Sequence, residues 1–202
     1  MSDDAGEVTP DEILMAAYQA GNEAAFGELF GRHAGSVYRF LVRRLADRSL
    51  ADDLFQEAFL RLHRARHTYD STRSFRAWLF GIVHNLVVDA MRSRSRLPET
   101  TSLDDVREAA AERQQQAELG PDYRSPERLV AARQSTMALS RALRALPSDE
   151  ATALILARLE GLSYDDIAEV LGRSAAATKQ LAYRALKRVT ATMKAEGHEE
   201  ET

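Results

Sequence analysis

The chain has 202 residues, 45% of them hydrophobic, a net charge of −4 and no cysteine. That length suits two modest compact domains or one larger one, and the missing cysteine excludes disulfides, a thiolate zinc site and a cysteine nucleophile. Residues 2–11 are acidic where a secretory leader is basic, and the longest apolar stretch, 78–88, is broken by His84 and Asn85 and is too short for a bilayer, so a cytoplasmic protein without membrane insertion is expected.

Every long segment reads as helix, because β-branched residues are sparse, alternating strand patterns are missing and cap signals recur. Thr9-Pro10-Asp11-Glu12 combines an N-cap, a first-turn proline and a capping-box glutamate. Ser49-Leu50-Ala51-Asp52 opens a second helix, with Ser49 as its cap. Over 50–64 that helix is expected to bury Leu54, Phe55, Ala58, Phe59 and Leu62. Its other face carries Asp52, Asp53, Gln56, Glu57, Leu60, Arg61 and Arg64. Two readings fit that face: a solvated surface laced with weak i, i+4 ion pairs, or a protein-docking face built around an exposed Leu60. On pattern alone the solvated surface is favoured.

A polar loop follows, Arg66-His67-Thr68-Tyr69-Asp70-Ser71-Thr72-Arg73, and Ser74 introduces the next helix. Phe75, Leu79, Ile82 and Leu86 are its expected core, and Trp78, beside Leu79 and Ile82, reads as core rather than as a stacking residue. Asn85, Asp89, Arg92 and Arg96 share a stripe. A polar loop containing an aromatic residue, next to an Arg/Asn stripe, suits a single nucleic-acid strand whose bases stack and whose backbone follows positive charge.

From Arg92 to Pro126 large aliphatic residues almost vanish, and Pro98, Gly120, Pro121 and Pro126 punctuate the stretch. It buries too little apolar surface to offset its ordering entropy and reads as a linker, with room for a fraying polar helix over 103–119. The periodic pattern resumes at Leu129. The chain thus divides into an acidic tail (1–12), a helical domain (13–96), an acidic linker (97–128), a second helical domain (129–195) and an acidic tail (196–202). Charge follows the same division. Residues 1–12 carry five acids and no base, 99–122 carry seven acids against Arg107 and Arg113, and 196–202 carry four acids with no Lys or Arg, which leaves a surplus of ten positive charges elsewhere. A basic body with acidic tails fits a nucleic-acid binder, and equally a mosaic of surface charge.

In the last block Leu146-Pro147-Ser148 ends one helix and starts another, which runs through 151–159 to Gly161. Ser163 caps a short helix with apolar Ile167, Val170 and Leu171; Gly172 permits a tight turn; Ser174 caps a longer helix reaching about Lys194. With small Ala168 at the crossing, this forms a helix-turn-helix. Thr178, Leu181, Ala182, Ala185, Leu186 and Val189 are expected to face inward, and Lys179, Gln180, Tyr183, Arg184, Lys187 and Arg188 outward. Cations and amides near the start of such a helix reach guanine and adenine edges, while later cations contact phosphates. An αα-hairpin with a solvated basic face is the alternative; the glycine turn, the small crossing residue and the cation pattern together favour DNA binding.

These residues also carry a resemblance. Asp52-Asp53-Leu54-Phe55-Gln56-Glu57-Ala58-Phe59-Leu60-Arg61, then Phe75-Arg76-Ala77-Trp78-Leu79 and Asn85-Leu86-Val87-Val88-Asp89, resemble region two of extracytoplasmic-function sigma factors. Gly161-Leu162-Ser163-Tyr164-Asp165-Asp166-Ile167-Ala168-Glu169-Val170-Leu171-Gly172, with Lys179 and Arg184-Ala185 beyond, resembles region four. The resemblance covers about 13–96 and 129–194 and implies an all-α, two-domain subunit of bacterial RNA polymerase that needs no cofactor, metal or catalytic residue of its own. It implies that Asp52, Asp53, Gln56, Glu57, Leu60 and Arg61 dock on core polymerase, on its beta and beta-prime subunits. Tyr69, Asp70, Ser71, Arg73, Asn85, Asp89, Arg92 and Arg96 would hold the melted minus-ten element. Ser174, Lys179, Gln180, Tyr183, Arg184, Lys187 and Arg188 would read the duplex minus-thirty-five element. It implies an anti-sigma factor as a further partner. Gly81 and His84 replace residues that are often basic in the family, Ala175-Ala176-Ala177 replaces a longer turn pattern, and Leu181 stands where Arg is frequent, which leaves the promoter sequence open. The rival reading is a helix-turn-helix regulator that binds DNA without polymerase. An enzyme is a poor fit: no Walker loop, dinucleotide fingerprint, His-Glu-x-x-His or nucleophile elbow occurs.

Overall fold

Helix α1 (Asp11–Gln19) places Leu14, Met15 and Tyr18 on one buried face. Its cap position is Pro10, which has no side chain to accept a bond, so Thr9 is not the cap. Glu12 is not half of a capping box either: its Oε1 accepts a hydrogen bond from the Phe75 backbone N–H at 3.0 Å, at the start of a helix 63 residues on. The chain turns at Gly21, whose φ of 98° only glycine adopts readily, and Asn22 caps α2 (Glu23–Arg44). In α2, Leu29, His33, Val37, Phe40, Leu41 and Arg44 fall at spacings of three and four and form its buried stripe.

Helix α3 (Arg48–Ala65) begins two residues earlier than its serine suggested: Asp47 accepts from the Leu50 N–H at 3.2 Å and is the cap, leaving Ser49 inside the first turn. Ala51, Ala58, Phe59 and Leu62 are its buried residues, while Leu54 and Phe55 are only half-buried. An aromatic seam joins α1, α2 and α3, running Tyr18–Phe26 at 5.0 Å, Phe30–Phe59 at 4.7 Å and Phe55–Phe59 at 5.2 Å between ring centroids. A single 3-10 turn, Arg66–Thr68, leads through the polar loop to α4 (Phe75–Arg94), whose N-terminus is closed by Ser74 and Glu12 together. Helix α4 buries Phe75, Ala77, Leu79, Phe80, Val83, His84, Leu86 and Val87, residues spread over more than half of its circumference.

The second half comprises α5 (Pro126–Arg144), α6 (Ser148–Arg158), α7 (Tyr164–Leu171) and α8 (Ala175–Glu199). Seven successive residues of α6, 150–156, are buried, so it is the central helix of this half as α4 is of the first. Ser163 caps α7 through the Asp166 N–H, and Gly172, in the left-handed region at φ 61°, turns the chain into α8. Helix α8 continues five residues beyond Lys194 into the segment expected to be a tail.

The chain is a computed structural model describing residues 9–94 and 126–199. Arg96, the expected polar helix over 103–119 and most of the acidic tails and linker lie outside those residues. Among the described residues all regular structure is helical, in agreement with the expected all-α class.

The two halves do not stand apart. Helix α7 lies against α4 and α5 against α2. At the seam the Arg44 guanidinium is almost wholly buried; its Nη2 donates to Ser148 Oγ at 3.0 Å, while Nε and Nη1 have no hydrogen-bond partner. Burial pulls its pKa down to about 10, against the attraction of Asp149. His84 hydrogen-bonds Thr152 Oγ1 through Nδ1 at 3.0 Å, with Asp149 at 3.9 Å from Nε2. Desolvation holds its pKa below the usual histidine value; Asp149 opposes that shift and Arg44 reinforces it. His33 is held low by burial in the same way, partly offset by Asp11. A histidine kept neutral in the fold and free to protonate when exposed stabilises the fold fully above its ordinary pKa, and that stability drains away as pH falls through about 6.5. The urea midpoint is therefore expected to be level from pH 8 to 7 and to fall from 6.5 to 5.5. His84→Gln should flatten that fall, and an unchanged slope in the variant would show that His84 is not one of its sources.

Candidate nucleic-acid interface

The polar loop and α4 enclose a pocket of about 290 Å³ lined by Thr68, Tyr69, Asp70, Arg73, Ala77, Trp78, Gly81, Ile82 and Asn85, with Glu169 of α7 closing one side. Asp70 organises the loop by accepting from the N–H and hydroxyl of Thr72 at 2.9 and 2.8 Å; these donors hold its carboxyl below the usual range. Tyr69, expected as a free contact of the loop, has a buried ring packed on Phe75 and Trp78. Its hydroxyl donates to the Arg73 carbonyl at 2.6 Å, and burial raises its pKa. It forms the pocket floor and is not available to stack on a base. Trp78 is half-buried and Ile82 also lines the pocket, so neither is fully in the core. A side chain at Gly81 would point into open space, so its glycine keeps the pocket wide.

Ser71 and Arg73 are exposed, and Arg73 is paired with Glu169. Asn85, Asp89 and Arg92 form the expected exposed stripe on α4; Arg96, its fourth member, lies beyond the described residues. Beyond Ile82 and Asn85 the pocket continues as a shallower groove bounded by Arg61, Arg64 and Ala65 of α3. Arg61, grouped in sequence with the docking face, thus stands at the border between that face and the groove.

On α3, Asp52, Asp53, Gln56, Leu60 and Arg61 are exposed, and Glu57 is half-buried, bonded to Arg61 at 2.9 Å and 3.8 Å from Arg64. Leu60 is 49% exposed, a large apolar side chain in a polar ring. One exposed apolar side chain is compatible with a solvated face and with a docking face alike.

On α8, Lys179, Gln180, Tyr183, Arg184, Lys187 and Arg188 all face outward, and Tyr183 is 67% exposed. Ser174 accepts from the Ala177 N–H at 3.2 Å, so its hydroxyl is engaged as the cap of α8. Leu186, expected inside, is 40% exposed and joins Tyr183, Lys187, Thr190, Ala191 and Lys194 in a shallow groove. One participant was missed in the sequence. Glu150 on α6 is buried beneath α8 and lies 3.6 Å from Arg184 and 3.3 Å from Arg188, while its Oε2 has no hydrogen bond. The outward face therefore has two stripes, Lys179–Tyr183–Lys187 and Gln180–Arg184–Arg188, and only the second is drawn toward an internal carboxylate. An acid one turn into a helix looks like dipole compensation in sequence, which is why Glu150 was passed over.

A helix-turn-helix with six exposed polar side chains, joined to a helical domain with a polar pocket, defines a DNA-binding transcription protein. Residues 29–97 match the family Sigma-70 region 2, and residues 136–189 match Sigma-70, region 4. The chain is 32% identical over 161 residues to the RNA polymerase sigma-H factor of Pseudomonas aeruginosa, covering 80% of this chain and 82% of that one. It is 35% identical over 176 residues to the ECF RNA polymerase sigma factor BldN of Streptomyces coelicolor, covering 86% of this chain and 62% of that longer protein. The solved structure of CnrH in complex with the cytosolic domain of CnrY is similar at a TM-score of 0.65 and 26% identity, over 92% of this chain and 97% of that one. The chain belongs to the extracytoplasmic-function group of sigma-70 RNA polymerase sigma factors. Such proteins direct transcription initiation. No helix among the described residues is long and apolar enough to cross a membrane.

If Glu150 orders Arg184 and Arg188 from behind, Glu150→Gln should loosen both side chains. Nitrogen relaxation of their Nε–H groups measures this directly. Global stability should stay within about 1 kcal/mol, because a buried charge facing half-exposed partners is exchanged for a neutral amide. Unaltered relaxation at both arginines would mean that the carboxylate does not restrain them.

Proposed function

We propose that this chain docks on core RNA polymerase through the exposed face of α3, holds the melted minus-ten strand with the pocket and the α4 stripe, and reads the duplex minus-thirty-five element with α8. The observation that carries this reading is the separation of three exposed polar surfaces on one chain: Asp53–Leu60 on α3, Arg73–Asn85 around the pocket, and Lys179–Arg188 on α8. At about 290 Å³ the pocket has room for one extruded base, with Asn85, which offers amide donors and acceptors, in its lining. The chain supplies recognition and strand separation, and the polymerase performs the chemistry, so the chain is not itself an enzyme. It works where the polymerase is, in the cytoplasm. CnrH is held in its complex by the cytosolic domain of CnrY; by the same likeness, an anti-sigma factor that covers the docking surfaces is a partner of this chain. Transcription by purified core polymerase on genomic fragments, with and without the chain, tests the whole reading. Initiation that does not depend on the chain overturns it.

Two variants divide the reading into parts. Asp53→Lys with Glu57→Lys should weaken capture of core polymerase about tenfold or more at unchanged helix content, and full capture would remove α3 from the docking surface. Arg184→Ala should cost about 1–3 kcal/mol at one position of the upstream element if its contact is bidentate. Lys187→Ala should instead weaken binding evenly across sequences and flatten the salt dependence, as a phosphate contact does. Both are read in the reconstituted holoenzyme across a library of upstream sequences, and unchanged preference in the Arg184 variant would take base reading away from that residue.

A further inference from the structure

We infer that Glu150 is a specificity-determining residue of the recognition helix: acting through Arg184, it lowers general attraction for DNA and sharpens discrimination between bases. This rests on the reading of α8 given above and adds a positioning residue that is not itself part of the exposed face. Helix α8 packs on α6. Glu150 stands in the first turn of α6 with its side chain only 7% exposed, while those of Arg184 and Arg188 are 57% and 56% exposed. Compensation of a helix dipole works from the surface and does not call for burial. The neighbouring Asp149 shows that ordinary arrangement, partly exposed and bonded to Arg173 at 2.9 and 2.6 Å. Glu150 lies inside instead, and its Oε2 accepts no hydrogen bond. A carboxylate so placed is costly unless cations answer it, and Arg184 and Arg188, one turn apart on α8, do so.

The way each arginine is held decides what it can read. Arg184 turns its Nε toward Oε1 at 3.6 Å, which leaves its two terminal nitrogens for a partner outside the protein. That end-on pair is the donor set that meets O6 and N7 of a guanine. Arg188 is approached at a terminal nitrogen, with Nη1 3.3 Å from Oε2, so its end-on fork is engaged and it is left to contact phosphate. Charge is divided in the same way. Glu150 offsets one of the two arginine charges, whereas Lys179 and Lys187 on the other stripe stand exposed to solvent. A negative charge behind the arginines weakens their pull on any phosphate backbone and keeps Arg184 in one direction of approach. The helix thereby binds every duplex less tightly and separates one duplex from another more sharply.

The test uses holoenzyme reconstituted from core polymerase and the full chain, titrated at several salt concentrations on duplexes varied through the minus-thirty-five element. Glu150→Gln keeps the shape of the side chain and removes its charge. It should tighten binding averaged over the library about twofold to fourfold and steepen the salt dependence by about one charge. At the position read by Arg184, the preference for the best base over the next should fall about threefold or more. Glu150→Asp keeps the charge but draws it back by a methylene, and should lose discrimination without the gain in affinity. In an Arg184→Ala background, Glu150→Gln should leave discrimination where it is. A glutamate that only supports the fold would lower affinity and discrimination together. The inference is overturned by that result, by a glutamine variant in which neither quantity moves, or by a loss of discrimination that persists without Arg184. If the glutamine variant loses helix content, Glu150→Asp decides, and undiminished discrimination in it overturns the inference. Failure of the underlying reading of α8 looks different: Arg184→Ala alone then leaves base preference unchanged at every position, and the role of Glu150 falls with it.

Discussion

Burial of α4 over more than half of its circumference is the constraint from which the other features follow. A surface helix keeps one stripe inside, but α4 buries Phe75, Ala77, Leu79, Phe80, Val83, His84, Leu86 and Val87. Such a helix needs neighbours on both flanks, and α3 supplies one while α7 supplies the other. Once α4 is the shared wall, the polar loop before it must lie against its first turn, where Tyr69 plugs into Phe75 and Trp78. The pocket is the space left between that loop and the exposed edge of the same helix. Its N-terminus is fixed from afar by Glu12, so α1 also takes part in setting the geometry of the pocket.

The charged surfaces are held by ion pairs that are weak one at a time, and their value is orientation more than stability. Arg61 leans on Glu57, Arg173 on Asp149, and Arg184 and Arg188 on Glu150. Each leaves part of a guanidinium free to solvent while limiting the directions in which it can reach. For nucleic-acid recognition that restriction matters, because a bidentate contact with a base edge tolerates little error in approach. The aromatic seam through Phe26, Phe30, Phe55 and Phe59 provides the rigid backing that lets α3 show Leu60 to solvent without losing its own place.

Much of this was legible in the residues. The helix-turn-helix announced itself through Ser163, Gly172 and Ser174, because caps and left-handed turns are local chemistry. The exposed faces of α3 and α8 followed from helical period. What the sequence concealed depends on distant partners. Glu12 mimics a capping-box residue and caps another helix; Tyr69 mimics a free loop aromatic and is pinned by two rings; Leu186 fits the inward period of α8 but lines an open groove. Ser49 lost its expected role to Asp47 because an aspartate two residues earlier captures the same end of the helix. Contact between the halves had no local signal at all. Phe80, Val83 and Val87 were left out of the expected core because a single-stripe reading of α4 has no second neighbour to bury them.

Arg44 gives that seam a further property. Two of its guanidinium nitrogens have no hydrogen-bond partner, so a cation has given up solvent contact to sit between α2 and the start of α6. A methionine there would join the halves by apolar contact alone. The arginine instead makes rehydration the first reward of separation, and lowers the barrier that a tightly packed joint would otherwise raise. A seam closed over such a charge is weaker than an apolar joint of the same area. In materials terms it is an adhesive that releases on wetting, and the wetting agent is water at one buried charge.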